Sequence, residues 1–190
     1  MYRIAVTNRH LCEGDFLTRV RQLAEGKHYQ AILLREKDLS EDEYERLAKE
    51  VLAICQRTGK RCILHSFPEV ARRLGHPYVH LPLPLWEGLN EEEKKGLQQH
   101  MIEIGTSIHS LEQFRQAEAL GAAYVIAGHI FTTDCKREIE PRGLSFLSSI
   151  CRVSDLPVYG IGGIHSSNEE QVMGVGASGV CMMSDCMKKG

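Results

Sequence analysis

The run from Ser107 to Lys136, SIHSLEQFRQAEALGAAYVIAGHIFTTDCK, decides the fold. It begins in the tail of an apolar stretch, Glu103 to Ile108. Ser110 then stands where a helix N-cap belongs, its side-chain oxygen able to accept from an orphan backbone N–H of the first turn. Leu111, Phe114, Ala117 and Leu120 recur at helical spacing on one face, and Gly121 marks the stop. A second apolar stretch, Tyr124 to Ile130, follows at once. A strand, a helix and a strand in so short a span form a βαβ unit, in which parallel strands are joined by a right-handed crossover.

The same alternation extends along the whole chain. Strands are expected at Arg3 to Thr7, Ala31 to Arg35, Arg61 to His65, Tyr78 to Leu81, Glu103 to Ile108, Tyr124 to Ile130, Pro157 to Ile161 and Gly179 to Met183. Ser40 opens a long amphipathic helix with an acidic first turn, Glu41-Asp42-Glu43, which runs to Arg57 and stops at Gly59. Pro68 to Leu74 and Asn90 to Met101 are shorter, more polar helical runs. An open doubly wound sheet is the competing architecture, but eight strands at this spacing favour an α/β fold of the (β/α)8 TIM-barrel type, one domain over residues 1–190. Only seven residues follow the last strand, enough for one helical turn but not for a full eighth outer helix. The flank between the first and last strands is therefore expected to be bare, or covered by a second copy in a homodimer.

Composition narrows the function classes. The chain has 190 residues, 43% of them hydrophobic, and 23 Lys plus Arg against 25 Asp plus Glu for a net charge of −2. That balance gives no electrostatic reason to expect nucleic acid or an anionic membrane as partner. No stretch approaches the length of an apolar membrane span, and the start of the chain lacks the order of a secretion signal, so a cytoplasmic protein with a small-molecule partner is expected. The seven cysteines are odd in number and never spaced as CxxC, which argues against a disulfide framework or a structural zinc. Most read as small reduced core residues.

In a (β/α) barrel the site lies where strands break into polar or glycine residues at their C-terminal ends. Six such breaks stand out: Arg35-Glu36-Lys37, His65-Ser66, Ser107 to His109, Gly128-His129 with Thr132 to Lys136, Gly160 to Gly163, and Ser184-Asp185. Gly162 and Gly163 after the seventh strand, with Ser184 after the eighth, occupy the places where barrels commonly hold a phosphate on backbone N–H groups. A plain tight turn is the other reading of the glycines. Arg35 and Lys37, two apart, would point the same way, with Glu36 opposite, and two cations at a barrel mouth suit a carboxylate or phosphate. As an isolated triplet, REK also reads as a solvated charge cluster. His129 interrupts an apolar strand and carries the side chain whose pKa suits proton transfer near neutrality. A structural histidine is the alternative there, and equally at His65, His109 and His165, which lack metal-ligand spacing on any one element.

LLREKDLS at the second strand, the Ser107 to Lys136 run, and YGIGGI with GVCMMS at the last two strands occur in the order found in the thiamin phosphate synthase and TenI superfamily, which the chain resembles over nearly its full length. GHIFTTDCK resembles the TenI branch, whose activity is thiazole tautomerase. In the synthases the loop after the second strand reads QxRxK; here Arg35 and Lys37 match it, while Leu33 stands at the Gln position. The synthases also place an Asn-Asp pair after the third strand and an Asp after the fourth for Mg²⁺ and pyrophosphate. This chain has His65-Ser66 and the PLPLW stretch, Pro82 to Trp86, where no hard oxygen donors stand. The resemblance therefore implies an isomerase of thiamin biosynthesis, without metal or cofactor, that moves a proton from C2 of a thiazole carboxylate phosphate to its exocyclic alkene carbon. It implies His129 as the acid/base, and Arg35, Lys37, Ser107, Thr133, Lys136, Gly162, Gly163, Met183 and Ser184 as substrate-binding residues. A divergent thiamin phosphate synthase, and a non-catalytic thiazole or thiamin phosphate sensor, are the alternatives.

Overall fold

Eight parallel strands close into a barrel in sequential order. The protein is described by a computed structural model over residues 1–133 and 140–188. The strands are β1 (Tyr2–Val6), β2 (Ala31–Leu34), β3 (Arg61–His65), β4 (Tyr78–Pro82), β5 (Glu103–Ile108), β6 (Tyr124–Gly128), β7 (Val158–Ile161) and β8 (Gly179–Met182). The ring is completed by β1 on β8, with Tyr2 opposite Gly179 and Ala5 opposite Met182. All eight expected strands are present, and the open sheet is excluded. β6 stops at Gly128, two residues short of expectation, because the chain turns there while the amides of Ile130 and Phe131 still donate to the carbonyls of Ile161 and Gly162.

Around the barrel run α1 (Phe16–Glu25), α2 (Glu41–Thr58), α3 (Pro68–Arg73), α4 (Leu83–Glu87), α5 (Glu91–His100), α6 (Leu111–Ala119), α7 (Gly143–Cys151), α8 (Glu169–Gly174) and the single turn α9 (Ser184–Met187). Ser40 caps α2 and Ser110 caps α6 as their sequences predict, and Ser40 forms a full capping box with Glu43. α4 was not expected as a helix. Its stretch has Pro82 at the N-cap and Pro84 inside the first turn, where a missing N–H costs nothing, and it buries Leu83 and Trp86.

The expected bare flank between β1 and β8 is corrected. Outward-facing Ala5, Val180 and Met182 are buried, and so are Cys186 and Met187 of α9. The Arg19 guanidinium of α1 donates to the Cys186 carbonyl at 2.8 Å, and the Tyr29 hydroxyl reaches the Met182 sulfur. A short turn suffices because α1 and the segment after it lean across the gap, so the case for a dimer from an uncovered flank falls away.

Strand residues alternate between two cores, as the pleat requires. One side of each strand packs on the helices, including Ala5, Ile32, Leu34, Leu64, Leu81, Val125 and Val180. The other side fills the barrel with Ile4, Val6, Ala31, Leu33, Ile63, Tyr124, Ile126 and Cys181. Polar groups complete the interior: His80 is fully buried on β4, stacked on His65 of β3 at 5.4 Å between ring centroids. Burial holds the His80 imidazole down to about 3, with the charges of Lys37 and Arg35 adding to it. The His65 imidazole is also held well below its usual range, again first by burial and then by His80, Arg35 and Lys37.

The buried Tyr44 hydroxyl of α2 donates to the Leu34 carbonyl at 2.7 Å and accepts from the His65 amide at 2.8 Å, clamping the ends of β2 and β3. Tyr44→Phe leaves both backbone groups without that partner and is expected to cost about 1–3 kcal/mol in urea unfolding; no change in midpoint would refute the clamp. His80 binds its proton far more weakly folded than unfolded. Its contribution is intact above about pH 6.5, the ordinary histidine value, and is lost as pH falls toward about 3, since only the unfolded chain takes up a proton there. The drop in unfolding free energy between pH 7 and pH 5 should therefore be about 1–2 kcal/mol smaller in His80→Gln than in the parent; identical drops would contradict this.

Candidate active site

The strand C-termini surround one cavity of about 820 Å³. Arg35 and Lys37, just past β2, both line it. Glu36 between them turns the other way, as the two-residue pleat predicts. It is 2% exposed and accepts from the Thr7 hydroxyl at 2.7 Å, from the Arg9 amide at 3.1 Å and from the Arg9 guanidinium at 3.2 Å. Thr7 Oγ1 in turn accepts from the Arg35 amide at 2.9 Å. The carboxylate of the REK triplet thus holds the loop in place and leaves its two cations at the mouth. The triplet is neither a solvated cluster nor three ligand-facing groups.

His65 contributes to the wall from the end of β3, its Nδ1 2.6 Å from the Ser66 hydroxyl, and Ser66 adopts a left-handed backbone (φ 67°). At the end of β4 the wall is Pro82, Leu83 and Pro84. Ser107 of β5 lines the cavity and stands 2.8 Å from His80 Nε2. His109 also lines it and hydrogen-bonds through Nδ1 to the Gly128 carbonyl, which can only accept.

His129 follows β6 after a cis peptide bond. It lines the cavity although it is 5% exposed, and the end of β7 passes directly against it. A Cβ on Gly162 would fall 2.3 Å from His129 Cβ and 2.7 Å from its Cα, and Gly162 has φ +104°. Only glycine permits this approach in that conformation. The glycines after β7 therefore serve packing, and they also line the cavity. Thr132, Thr133, Met183 and Ser184 complete this side, with Asp185 and Lys188 of the last turn. Among the described lining residues Asp185 is the one carboxylate.

Nine of the ten residues singled out in the sequence share this cavity: Arg35, Lys37, Ser107, His129, Thr133, Gly162, Gly163, Met183 and Ser184. Lys136 lies outside the described residues, as does Cys135. His65, His109 and His165, which no single element could unite, converge with His129 from four strand ends. They form no metal cluster: among the described residues, no group of three or more His, Cys, Asp or Glu could hold an ion. Sequence reasoning passed over Gln113 and Lys188, which line the cavity, and His80 beneath it. The available signal for His80 was one imidazole at an inward position of the apolar strand YVHLP.

A family model described as thiamine monophosphate synthase matches residues 3–186. The chain is 30% identical over 189 residues to thiamine-phosphate synthase of Syntrophomonas wolfei, covering 96% of this chain and 86% of that protein. It is 32% identical over 168 residues to thiamine-phosphate synthase of Pyrococcus abyssi, covering 88% and 79%. Among solved structures, the thiamine phosphate pyrophosphorylase from Pyrococcus furiosus superposes with a TM-score of 0.84 at 28% identity, over 99% of this chain and 88% of that one. By its strand order, its cavity and these matches, the chain belongs to the thiamine-phosphate synthase and TenI superfamily of thiamin biosynthesis.

Proposed function

We propose that the chain is a thiazole tautomerase acting on a thiazole carboxylate phosphate. The observation that carries this reading is the division of the cavity wall. His129 is seated against Gly162 on one side, while the ends of β3 and β4 present His65 and Pro82-Leu83-Pro84 on the other. Those two ends are where the resemblance puts the synthases' Mg²⁺ and pyrophosphate ligands. Magnesium takes hard oxygen donors, and two stacked, neutral imidazoles with a Pro-Leu wall do not fit it.

His129 acts as the acid/base. Its imidazole takes the proton from ring C2, and the electron pair moves through the conjugated system to the exocyclic alkene carbon. The imidazolium returns one proton there. One C–H bond breaks and one forms, with no net change in protons or electrons, and aromatisation drives the step. Arg35 and Lys37 hold the carboxylate and stabilise the negative charge that develops. Ser107 and Thr133 contact the ring, and Gly162, Gly163, Met183 and Ser184 take the phosphate. Lys136 keeps its proposed place among the substrate-binding residues on sequence position alone.

Transfer of a pyrimidine pyrophosphate to thiazole phosphate is the second reading. The names of the relatives favour it, as does the match of Arg35 and Lys37 to the synthase pattern. Two assays separate the readings. His129→Asn is expected to lower tautomerase kcat by at least about 10²-fold with KM nearly unchanged and the circular dichroism spectrum intact; a folded variant with full activity refutes the acid/base role. Robust formation of thiamin phosphate from hydroxymethylpyrimidine pyrophosphate, thiazole phosphate and Mg²⁺, without tautomer conversion, would establish the second reading instead.

A further inference from the structure

Beneath the cavity a chain of three polar side chains crosses the barrel interior, and none of its hydrogen positions is arbitrary. The Tyr124 hydroxyl stands 3.3 Å from His80 Nδ1, and His80 Nε2 stands 2.8 Å from Ser107 Oγ. Tyr124 and His80 are buried, and Ser107 alone of the three lines the cavity. We propose that Tyr124 and His80 are positioning residues that lock Ser107 as a hydrogen-bond donor, aimed at an acceptor atom of the bound ligand.

In a dry interior every proton of the relay needs an acceptor. The imidazole is neutral near pH 7, held so by burial and by the nearby charges of Lys37 and Arg35, so it has one N–H and one lone pair. Burial likewise keeps the Tyr124 phenol protonated. Two arrangements fit the distances. In the first, Ser107 donates to Nε2 and Nδ1–H donates to the Tyr124 oxygen. The phenolic proton is then left inside the buried cluster to which Tyr124 belongs, with His80 as the hydrogen-bond partner shown for that hydroxyl among the described residues. A buried donor with no acceptor is strongly disfavoured. In the second, Tyr124 donates to Nδ1, Nε2–H donates to Ser107 Oγ, and every buried proton has an acceptor. The proton left over is that of Ser107, which faces the cavity.

The interior is shaped for this chain. The Tyr124 ring lies where a Cβ on Gly105 would be 2.0 Å from its Cζ, so Gly105 of the neighbouring strand is what makes room for the phenol. Ring-to-ring contacts with His80 and Tyr159, at 5.7 Å each, hold it on both sides. The consequence is chemical. A ligand presenting a lone pair, such as a ring nitrogen or carboxylate oxygen, finds a preoriented donor in Ser107.

The relay holds whichever reaction the cavity performs; only the choice of ligand probe below rests on the proposed reaction. In ¹⁵N NMR of histidine-labelled protein, with the His80 signals assigned by their loss in His80→Gln, His80 is expected as the Nε2–H tautomer. The Nδ1–H tautomer would overturn the proposal. Tyr124→Phe removes the donor that selects the tautomer, so the Nδ1–H form should become visible; a spectrum unchanged from the parent would remove Tyr124 from the relay. Calorimetric binding of the thiazole carboxylate phosphate should weaken about three- to tenfold in Ser107→Ala and recover in Ser107→Thr, which restores the hydroxyl. Equal affinity in parent and Ser107→Ala would refute the donor role. Failure of the parent to bind this probe would count against the proposed reaction, while the tautomer measurement still judges the relay.

Discussion

Closure of β1 onto β8 is the constraint from which the rest of the structure follows. Once eight parallel strands form a ring, no edge is left open, and half of every strand faces a narrow cylinder that has to be filled. Ile4, Val6, Ala31, Leu33, Ile63, Ile126 and Cys181 fill much of it with aliphatic and thiol side chains. Val6, Ile126 and Cys181 of this set also line the cavity, beside His65 and Ser107. The site is thus the top of the barrel core, and its chemistry depends on how that core ends.

It ends with an unusual distribution of charge. Arg35 and Lys37 face the cavity while Glu36, their immediate neighbour, is turned back to Thr7 and Arg9. The two histidines nearest those cations are kept neutral by burial and by the cations themselves, so they neither add to the positive potential nor cancel it. With Asp185 the one carboxylate among the described lining residues, the mouth favours anionic ligands. A carboxylate and a phosphate on one small heterocycle match that field from two sides.

The barrel was legible in the sequence because each strand is buried on both faces and reads as a short apolar run between helix signals such as Ser40, Gly59, Ser110 and Gly121. Most of the cavity lining was legible too, since a polar break at a strand's C-terminal end has one place to go in this architecture. What was not legible depended on contacts between distant segments. Helix α4 hid behind two prolines that suit a first turn. The covering of β1 and β8 required knowing that α1 reaches α9, through Arg19 and Cys186, which are 167 residues apart. His80 looks like any histidine in an apolar strand until Tyr124 and Ser107, from two other strands, are found at its two nitrogens.

Membership of the superfamily rests on the whole barrel, but the distinction between transfer and tautomerisation rests on a few side chains at its rim. About 30% identity spread over the chain records common packing, and packing is what the match with Syntrophomonas wolfei and the superposition with Pyrococcus furiosus chiefly measure. Displacing pyrophosphate makes a different demand from moving a proton. The leaving group gathers several negative charges at once, and offsetting them takes a metal with oxygen ligands or a dense set of cations. Proton movement between two carbons of one bound molecule needs a base of suitable pKa, a fixed ring and stabilisation of a single developing charge. Among the described residues this cavity supplies an imidazole wedged against Gly162, the cations Arg35, Lys37 and Lys188, and a hydroxyl held by buried neighbours. That inventory is sparse for the first task and sufficient for the second, which is why the chemistry proposed departs from the names of the relatives while the fold does not.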